Sequence, residues 1–175
     1  MRSTLTLMIG LAAFTLLWRV VPHGWNMTPV LALALFAGAR LQVPALRFVL
    51  PLTVMLLSDL LLGFHDTMLY VYGALLLVVL MGQGLGGKAS LPGHAGMSVA
   101  GSMMFFLITN FGVWMSGALY PMTAEGLVSS YVMALPFLWK TLAGDLFFVV
   151  MFFAAFRLIS DSARAHIPAR VKTTD

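Results

Sequence analysis

Six apolar runs, separated by short polar turns, constrain the fold of this chain more than any other feature. A helix of about 20 apolar residues crosses a hydrocarbon core of about 30 Å. Only 9% of the residues are charged, against about 25% in soluble domains. We therefore predict an all-α polytopic membrane protein, a bundle of six transmembrane helices. The runs cover residues 5–21, 30–41, 44–63, 67–85, 96–119 and 126–159.

The second run, 30–41, is too short to cross a membrane alone, because twelve residues rise only about 18 Å. It must lie deep in the bundle, or continue with polar residues in a cavity. Thr28 and Pro29 predict its start, with the threonine as N-cap. Ala34 and Gly38 are one turn apart and permit close contact with another helix.

The last run is too long for one straight span. Pro136 is expected to kink it, or to divide it into an interfacial turn and a true span. The sequence shows no repeat and no interdomain linker. We assign a single transmembrane domain to residues 1–160 and a basic cytoplasmic tail to residues 161–175.

Basic residues are distributed unequally between the two ends of the predicted bundle. With six spans both termini lie on the same side, and only Arg19 lies near the opposite side. Cytoplasmic ends of membrane proteins carry an excess of Lys and Arg. We therefore expect a multi-pass inner-membrane protein with cytoplasmic N- and C-termini. The terminal side carries Arg2, Arg40, Arg47, Lys88, Arg157, Arg164, Arg170 and Lys172.

Several polar side chains fall within the apolar runs. A carboxylate such as that of Asp59 costs about 2.5–3.5 kcal/mol on a lipid-buried helix, so it needs a partner or a cavity. If Pro136 marks the outer boundary of the last span, Lys140 lies at the depth of Asp59. Asn110 and Trp114 lie in the outer half of the fifth span. These residues predict either a ligand site open to the outside, or an Asp59–Lys140 pair that only fixes helix packing.

Other chemistries are disfavoured. The chain has no cysteine, which excludes disulfides and thiolate chemistry, and we expect no cofactor or metal. His23, His65 and His94 are predicted in turns, as solvated side chains. No G-x-S-x-G or H-E-x-x-H motif is present, so we expect a protein that is not an enzyme. Scattered basic residues do not indicate nucleic-acid binding.

Residues 82–88, GQGLGGK, nearly match a phosphate-binding loop. Ala89 replaces the hydroxyl that would bind magnesium, and the segment follows a membrane helix, not a strand. We predict a flexible cytoplasmic loop that does not bind nucleotide.

A set of short motifs resembles a family of uncharacterised small bacterial membrane proteins. That family is similar to the substrate-binding S-components of energy-coupling-factor (ECF) vitamin transporters, including the solitary vitamin B12 transporters. The resemblance covers about residues 22–153. The motifs are Asn26-x-x-Pro29, Ser58-Asp59, Gly63-Phe64-His65, Tyr70-x-Tyr72, Thr109-Asn110-Phe111-x-x-Trp114, Tyr120-Pro121-x-Thr123, Pro136-Phe137 and Gly144-Asp145.

The resemblance implies an ECF S-component-like bundle that captures a vitamin-like solute from the outer face, with membrane lipid around it and an ATPase module to energise it. Small residues of the early helices would dock on that module: Gly10, Ala13, Ala34 and Gly38. The chain departs from the B12 transporters in having no cysteine to ligate cobalt, and Lys140 stands where the family pattern has Asn. The ligand-binding residues we predict are Asn26, Asp59, His65, Tyr72, Asn110, Trp114 and Lys140.

Two other functions stay open at this point. The chain could be a structural or assembly subunit of a membrane complex, whose buried polar groups only fix packing. An intramembrane enzyme is a third possibility, although the sequence shows no catalytic pair.

Overall fold

The computed structural model describes residues 2–21, 27–86 and 90–165, with side chains described from residue 4 to residue 160. The described residues form helices and no strands, as the sequence predicts. Four helices, α3 to α6, are long and apolar enough to cross a membrane. The six helices are α1 (Arg2–Val20), α2 (Val30–Arg40), α3 (Pro44–Leu62), α4 (Met68–Leu85), α5 (Leu91–Met115) and α6 (Ala124–Ala165).

Large apolar side chains cover much of the outer surface of the bundle. Such a surface would aggregate in water, whereas lipid tails solvate it. The chain is thus a membrane protein with a protein-lined interior and an apolar exterior. Examples of exposed side chains are Leu17, Leu61, Leu69, Trp139 and Leu158.

The short helix α2 lies at the centre of the bundle. Residues 30–38 are all buried, and α2 packs against each of the other five helices. Its sequence is apolar on every side, which is typical of a helix with no solvent-facing or lipid-facing surface. The prediction that the second run lies deep in the bundle is confirmed. The helix begins at Val30, one residue later than Thr28 and Pro29 predict.

Two glycines bring α2 and α4 into close contact. A Cβ atom on Gly38 would overlap the backbone carbonyl of Val79, and one on Gly82 would overlap the carbonyl of Leu35. The predicted role of Gly38 in close helix contact is confirmed. Gly82 lies within α4, as the fourth apolar run predicts and not in the glycine-rich loop, and its lack of a side chain permits this close contact.

The helix ends define two ends of the bundle. At the terminal end, the guanidinium of Arg40 lies over the rings of Phe153 and Phe156, and the ring of His94 lies 3.7 Å from that of Phe153. The prediction that His94 lies in a turn is wrong. The Ser90 side chain accepts a hydrogen bond from the backbone of the first turn of α5, so the helix starts before His94 and buries it.

The opposite end contains the end of α1, the start of α2 and the loop between α3 and α4. α3 ends at Gly63, whose φ of 102° turns the chain out of the helix. That turn is where the sequence predicts it.

α6 is one continuous helix of 42 residues, so Pro136 does not divide the last run into two segments. α5 ends at Met115, earlier than predicted, because Gly117 adopts a φ of 64° just beyond it.

Candidate functional site

Asp59 is the centre of a polar network between three helices. One carboxylate oxygen accepts a hydrogen bond from Nη2 of Arg19 at 2.7 Å, and the other accepts from the hydroxyl of Tyr72 at 2.8 Å. Nε of Arg19 also donates to Ser58, at 2.7 Å. The network joins α1, α3 and α4, and both oxygens of the buried carboxylate have a partner.

The predicted Asp59–Lys140 pair is wrong, because the cation that pairs with Asp59 is Arg19. Lys140 lies on an exposed part of α6. The sequence indicates Arg19, at the end of α1, only as a topology signal. Its long side chain reaches back into the bundle to Asp59, so only 17% of that side chain is exposed.

A cavity of about 220 Å³ lies beside this network, towards the end of the bundle that carries the α3–α4 loop. Arg19 and His65 lie in its wall on that side, and Asp145 of α6 lies deeper, within the middle of the long helix. Most of the remaining wall is apolar. These other lining residues are Thr28, Val30, Leu31, Met55, Val71, Leu75, Phe105 and Thr141.

Asp145 is the second buried carboxyl group of the site. Its residue is 2% exposed, and one oxygen lies 2.6 Å from the hydroxyl of Ser102 on α5. The same hydroxyl lies 2.9 Å from the carbonyl of Ser98. No basic side chain forms an ion pair with Asp145 in the described part of the chain. Asp145 thus lies in the wall of the cavity with one neutral hydrogen-bond partner, Ser102.

The predicted site residues divide among several places. Asp59, Tyr72 and His65 lie in or directly behind the wall of the cavity. Nδ1 of His65 is within hydrogen-bond distance of the Thr67 hydroxyl, at 2.9 Å. Asn26 lies outside the described residues. Ligand binding by any of these residues stays a prediction.

Asn110 lies in the wall of a different cavity, of about 240 Å³, between α5 and α6. Its side-chain amide donates to the carbonyl of Phe106 in its own helix. Trp114 lies near the end of α5, where its indole N–H donates to the carbonyl of Pro121 at 3.1 Å. The structure therefore does not bring Asn110 and Trp114 into the cavity beside Asp59. Phe105 and Thr141 line both cavities, which are neighbours.

The remaining motifs do not form sites in the described residues. No cluster of three potential metal ligands occurs there. The first part of the glycine-rich near-match, residues 82–85, is the end of α4 and not a loop. Residues 87–89, with Lys88 and Ala89, lie outside the described residues, as does His23.

Sequence reasoning missed three important residues of the site: Arg19, Asp145 and Ser102. The sequence shows Asp145 only as part of the Gly144-Asp145 motif, but its side chain is buried and faces Ser102. The available signal was an acidic residue in the middle of the longest apolar run, which in a membrane helix indicates an interior position.

The fold and the site together define a helical membrane protein with two buried carboxyl groups beside one internal cavity. The chain belongs to the family described as "Family of unknown function (DUF6580)", whose model matches residues 1–169. No curated protein and no solved structure matches the chain significantly.

Proposed function

We propose that this protein is a solute-binding membrane protein, which captures a small organic, vitamin-like molecule from the outer face of the bacterial inner membrane. The observation that carries the proposal is the cavity beside Arg19, whose wall combines apolar side chains with several convergent polar groups. Binding sites for small molecules commonly have this composition. The protein is not an enzyme in this proposal, and its mechanism is capture without chemistry.

The size of the cavity bears on the ligand. About 220 Å³ is below the range of about 300–1,000 Å³ that is common for drug-sized ligands. A cobalamin would not fit without a large opening of the bundle. The resemblance to ECF S-components supports a vitamin-sized or smaller solute, and a separate ATPase module as the energising partner.

The distribution of basic residues supports an orientation of the site towards the outside. Arg40, Arg47 and Arg157 lie towards the terminal end, while the cavity lies towards the other end. Under the positive-inside rule the terminal end is cytoplasmic. The cavity then faces the outside, as expected for capture.

A structural or assembly subunit is the second candidate. The network of Arg19, Asp59 and Tyr72 satisfies both oxygens of the buried carboxylate without a ligand, which favours this alternative. The cavity next to Asp145 favours ligand binding instead, because a subunit that only fixes packing gains nothing from a polar cavity in its interior.

Native mass spectrometry of the protein, purified in mild detergent, tests the proposal. We expect a bound small molecule on the wild-type protein and its loss in Val71→Trp, which fills the cavity from α4. Leu69→Trp is the matched control, because Leu69 is 78% exposed on the same helix. A molecule retained equally by both variants would be bound elsewhere and would contradict the proposed site. A wild-type protein free of small molecules would favour the structural subunit.

A further inference from the structure

The cavity and the network beside it contain two carboxyl groups, Asp59 and Asp145, and one guanidinium, Arg19. Arg19 contributes one positive group to the wall, but Asp59 lies against it and neutralises it at 2.7 Å. Asp145 adds a second carboxyl group with no basic partner among the described residues. His65 is the remaining titratable group in the wall. The carboxyl group that is left without a basic partner in the described part of the site is therefore that of Asp145.

Ser102 cannot compensate this charge. A serine hydroxyl has one proton, and two acceptors compete for it: the carbonyl of Ser98 at 2.9 Å and Asp145 at 2.6 Å. Asp145 thus receives at most one hydrogen bond from a neutral donor. An isolated ionised carboxylate is far too costly at such a position, so it requires either a bound proton or a cation.

We propose that the ligand carries a cationic amine, and that this amine pairs with Asp145 in the cavity. The inference rests on the proposed function, since it names the chemical class of the solute that the cavity binds. The amine provides the positive charge and the N–H donors that the described protein residues do not supply to Asp145. A proton occupies the carboxyl group when the cavity is empty.

The rest of the wall fits such a ligand. Phe105 lines the cavity together with Val71, Leu75 and Met55, so the apolar part of an amine can be buried there. A ring face of Phe105 can also contribute a cation–π contact. Thr141 lies one turn before Asp145 on α6 and in the same wall, and its hydroxyl offers a further hydrogen-bonding group near the amine.

Three probes of similar shape and different charge test this proposal: benzylamine, benzyl alcohol and benzoate. Binding is measured with the full-length protein in nanodiscs, and empty nanodiscs correct for partition into lipid. We expect benzylammonium to bind at least about 10-fold more tightly than benzyl alcohol, since a charged hydrogen-bonded pair adds about 1.5–3 kcal/mol. Benzoate should bind most weakly.

Two variants assign the preference to Asp145. Asp145→Asn keeps the shape of the side chain and should remove the preference for benzylammonium over benzyl alcohol. Glu125→Gln removes a carboxylate that is exposed at the start of α6 and should leave the preference unchanged. If Asp145→Asn does not fold, Asp145→Ser replaces it. That variant also removes the carboxylate, so it should also remove the preference for the cation.

The outcomes distinguish this inference from the proposed function. Tighter binding of benzyl alcohol or benzoate would overturn the amine assignment and leave a solute-binding cavity in place. Equal preference for the cation in wild type and in Asp145→Asn would also overturn it. If none of the probes binds, the molecule found by native mass spectrometry decides, and one without a cationic nitrogen contradicts the inference. Absence of both probe binding and a co-purifying molecule would remove the proposed function itself.

Discussion

The pairing of Arg19 with Asp59 shows how a single residue can decide the interior of a membrane protein. Each charge alone is costly at this position, and together they form a short ion pair that Tyr72 and Ser58 extend. Replacing a complete buried pair by apolar groups is often tolerated, whereas removing one member leaves an uncompensated charge. The network therefore makes a sharp prediction about single and double variants.

Asp59→Asn should lower the free energy of unfolding by about 3–5 kcal/mol, because the guanidinium of Arg19 then lacks its carboxylate partner. The double variant Arg19→Met with Asp59→Asn should recover much of the loss. Both changes in the free energy of unfolding are measured by unfolding the protein with heat or denaturant in lipid nanodiscs. Lys140→Met is the control and should have a small effect, because Lys140 is exposed. A larger loss in Lys140→Met than in Asp59→Asn would contradict this network.

Tyr72→Phe tests the third member of the network. The phenol donates to Asp59 at 2.8 Å, and hydrogen bonds to charged groups contribute about 1.5–3 kcal/mol. We expect a loss of unfolding free energy in that range in the same assay. The effect should largely disappear in the background of Asp59→Asn, where the acceptor is neutral. Equal losses in both backgrounds would show that the hydroxyl acts independently of Asp59.

At the residue level, the sequence indicates which polar groups are interior but not which groups meet. Asp59 is identifiable because it interrupts an apolar run, and its burial follows from cost alone. The choice of Arg19 over Lys140 depends on the packing angle of α1 against α3 and on the reach of a long side chain. Neither the packing angle nor the reach of the side chain can be derived from the spacing of residues in the sequence. The similar depths estimated for Asp59 and Lys140 in the membrane therefore indicated the wrong partner.

Close contact between α2 and α4 is the main packing feature at the level of the elements. Gly38 and Gly82 remove side chains where the two backbones approach most closely. Without a hydrophobic driving force between helices in lipid, such dense packing supplies much of the association energy. Substitutions at these glycines should therefore affect stability more than others on the same helix.

Gly38→Ala and Gly82→Ala should each destabilise the protein by about 1–3 kcal/mol, because the added methyl group forces the helices apart. Gly73→Ala is the matched control on α4. A Cβ atom there meets no other atom within 4 Å, so it should be neutral or slightly stabilising through helix propensity. Unfolding in nanodiscs measures all three. Similar behaviour of the three variants would mean that the α2–α4 contact is looser than described.

Element boundaries were predictable where a backbone signal is strong. Gly63 ends α3 as expected, and a positive φ explains why. α5 starts earlier than its apolar pattern because Ser90 caps it, and α6 continues through Pro136 because a proline inside a membrane helix does not have to end it. The hydropathy pattern reports where a helix is apolar, and capping and packing decide where it begins and ends.

For the whole molecule, six helices and their alternating direction could be predicted from the sequence, and the cavity could not. The wall of the cavity combines residues from α1 to α6 and from the α3–α4 loop. Each of these elements contributes only a few residues to the wall, so no pair of elements shows a recognisable binding motif in the sequence. Such a constellation becomes visible only when all helices are packed together.

Orientation in the membrane can be tested in this chain without prior removal of thiols, because it contains no cysteine. Asp66→Cys places a thiol in the α3–α4 loop, and Gln42→Cys places one in the turn between α2 and α3; both positions are exposed. In intact cells an impermeant maleimide should label Asp66→Cys and not Gln42→Cys. After membrane disruption both should react. The reverse pattern would place the cavity on the cytoplasmic side.

The central position of α2 also has a consequence for how the protein is made. Eleven residues rise about 16 Å, about half of the hydrocarbon thickness. The segment is thus a poor candidate for independent insertion by the translocon. Its burial is completed by α4 and α6, which leave the ribosome later. A nascent chain that ends after α3 therefore has its future core helix with α1 and α3 but without α4, α5 and α6, and α2 is fully buried only when these later helices arrive.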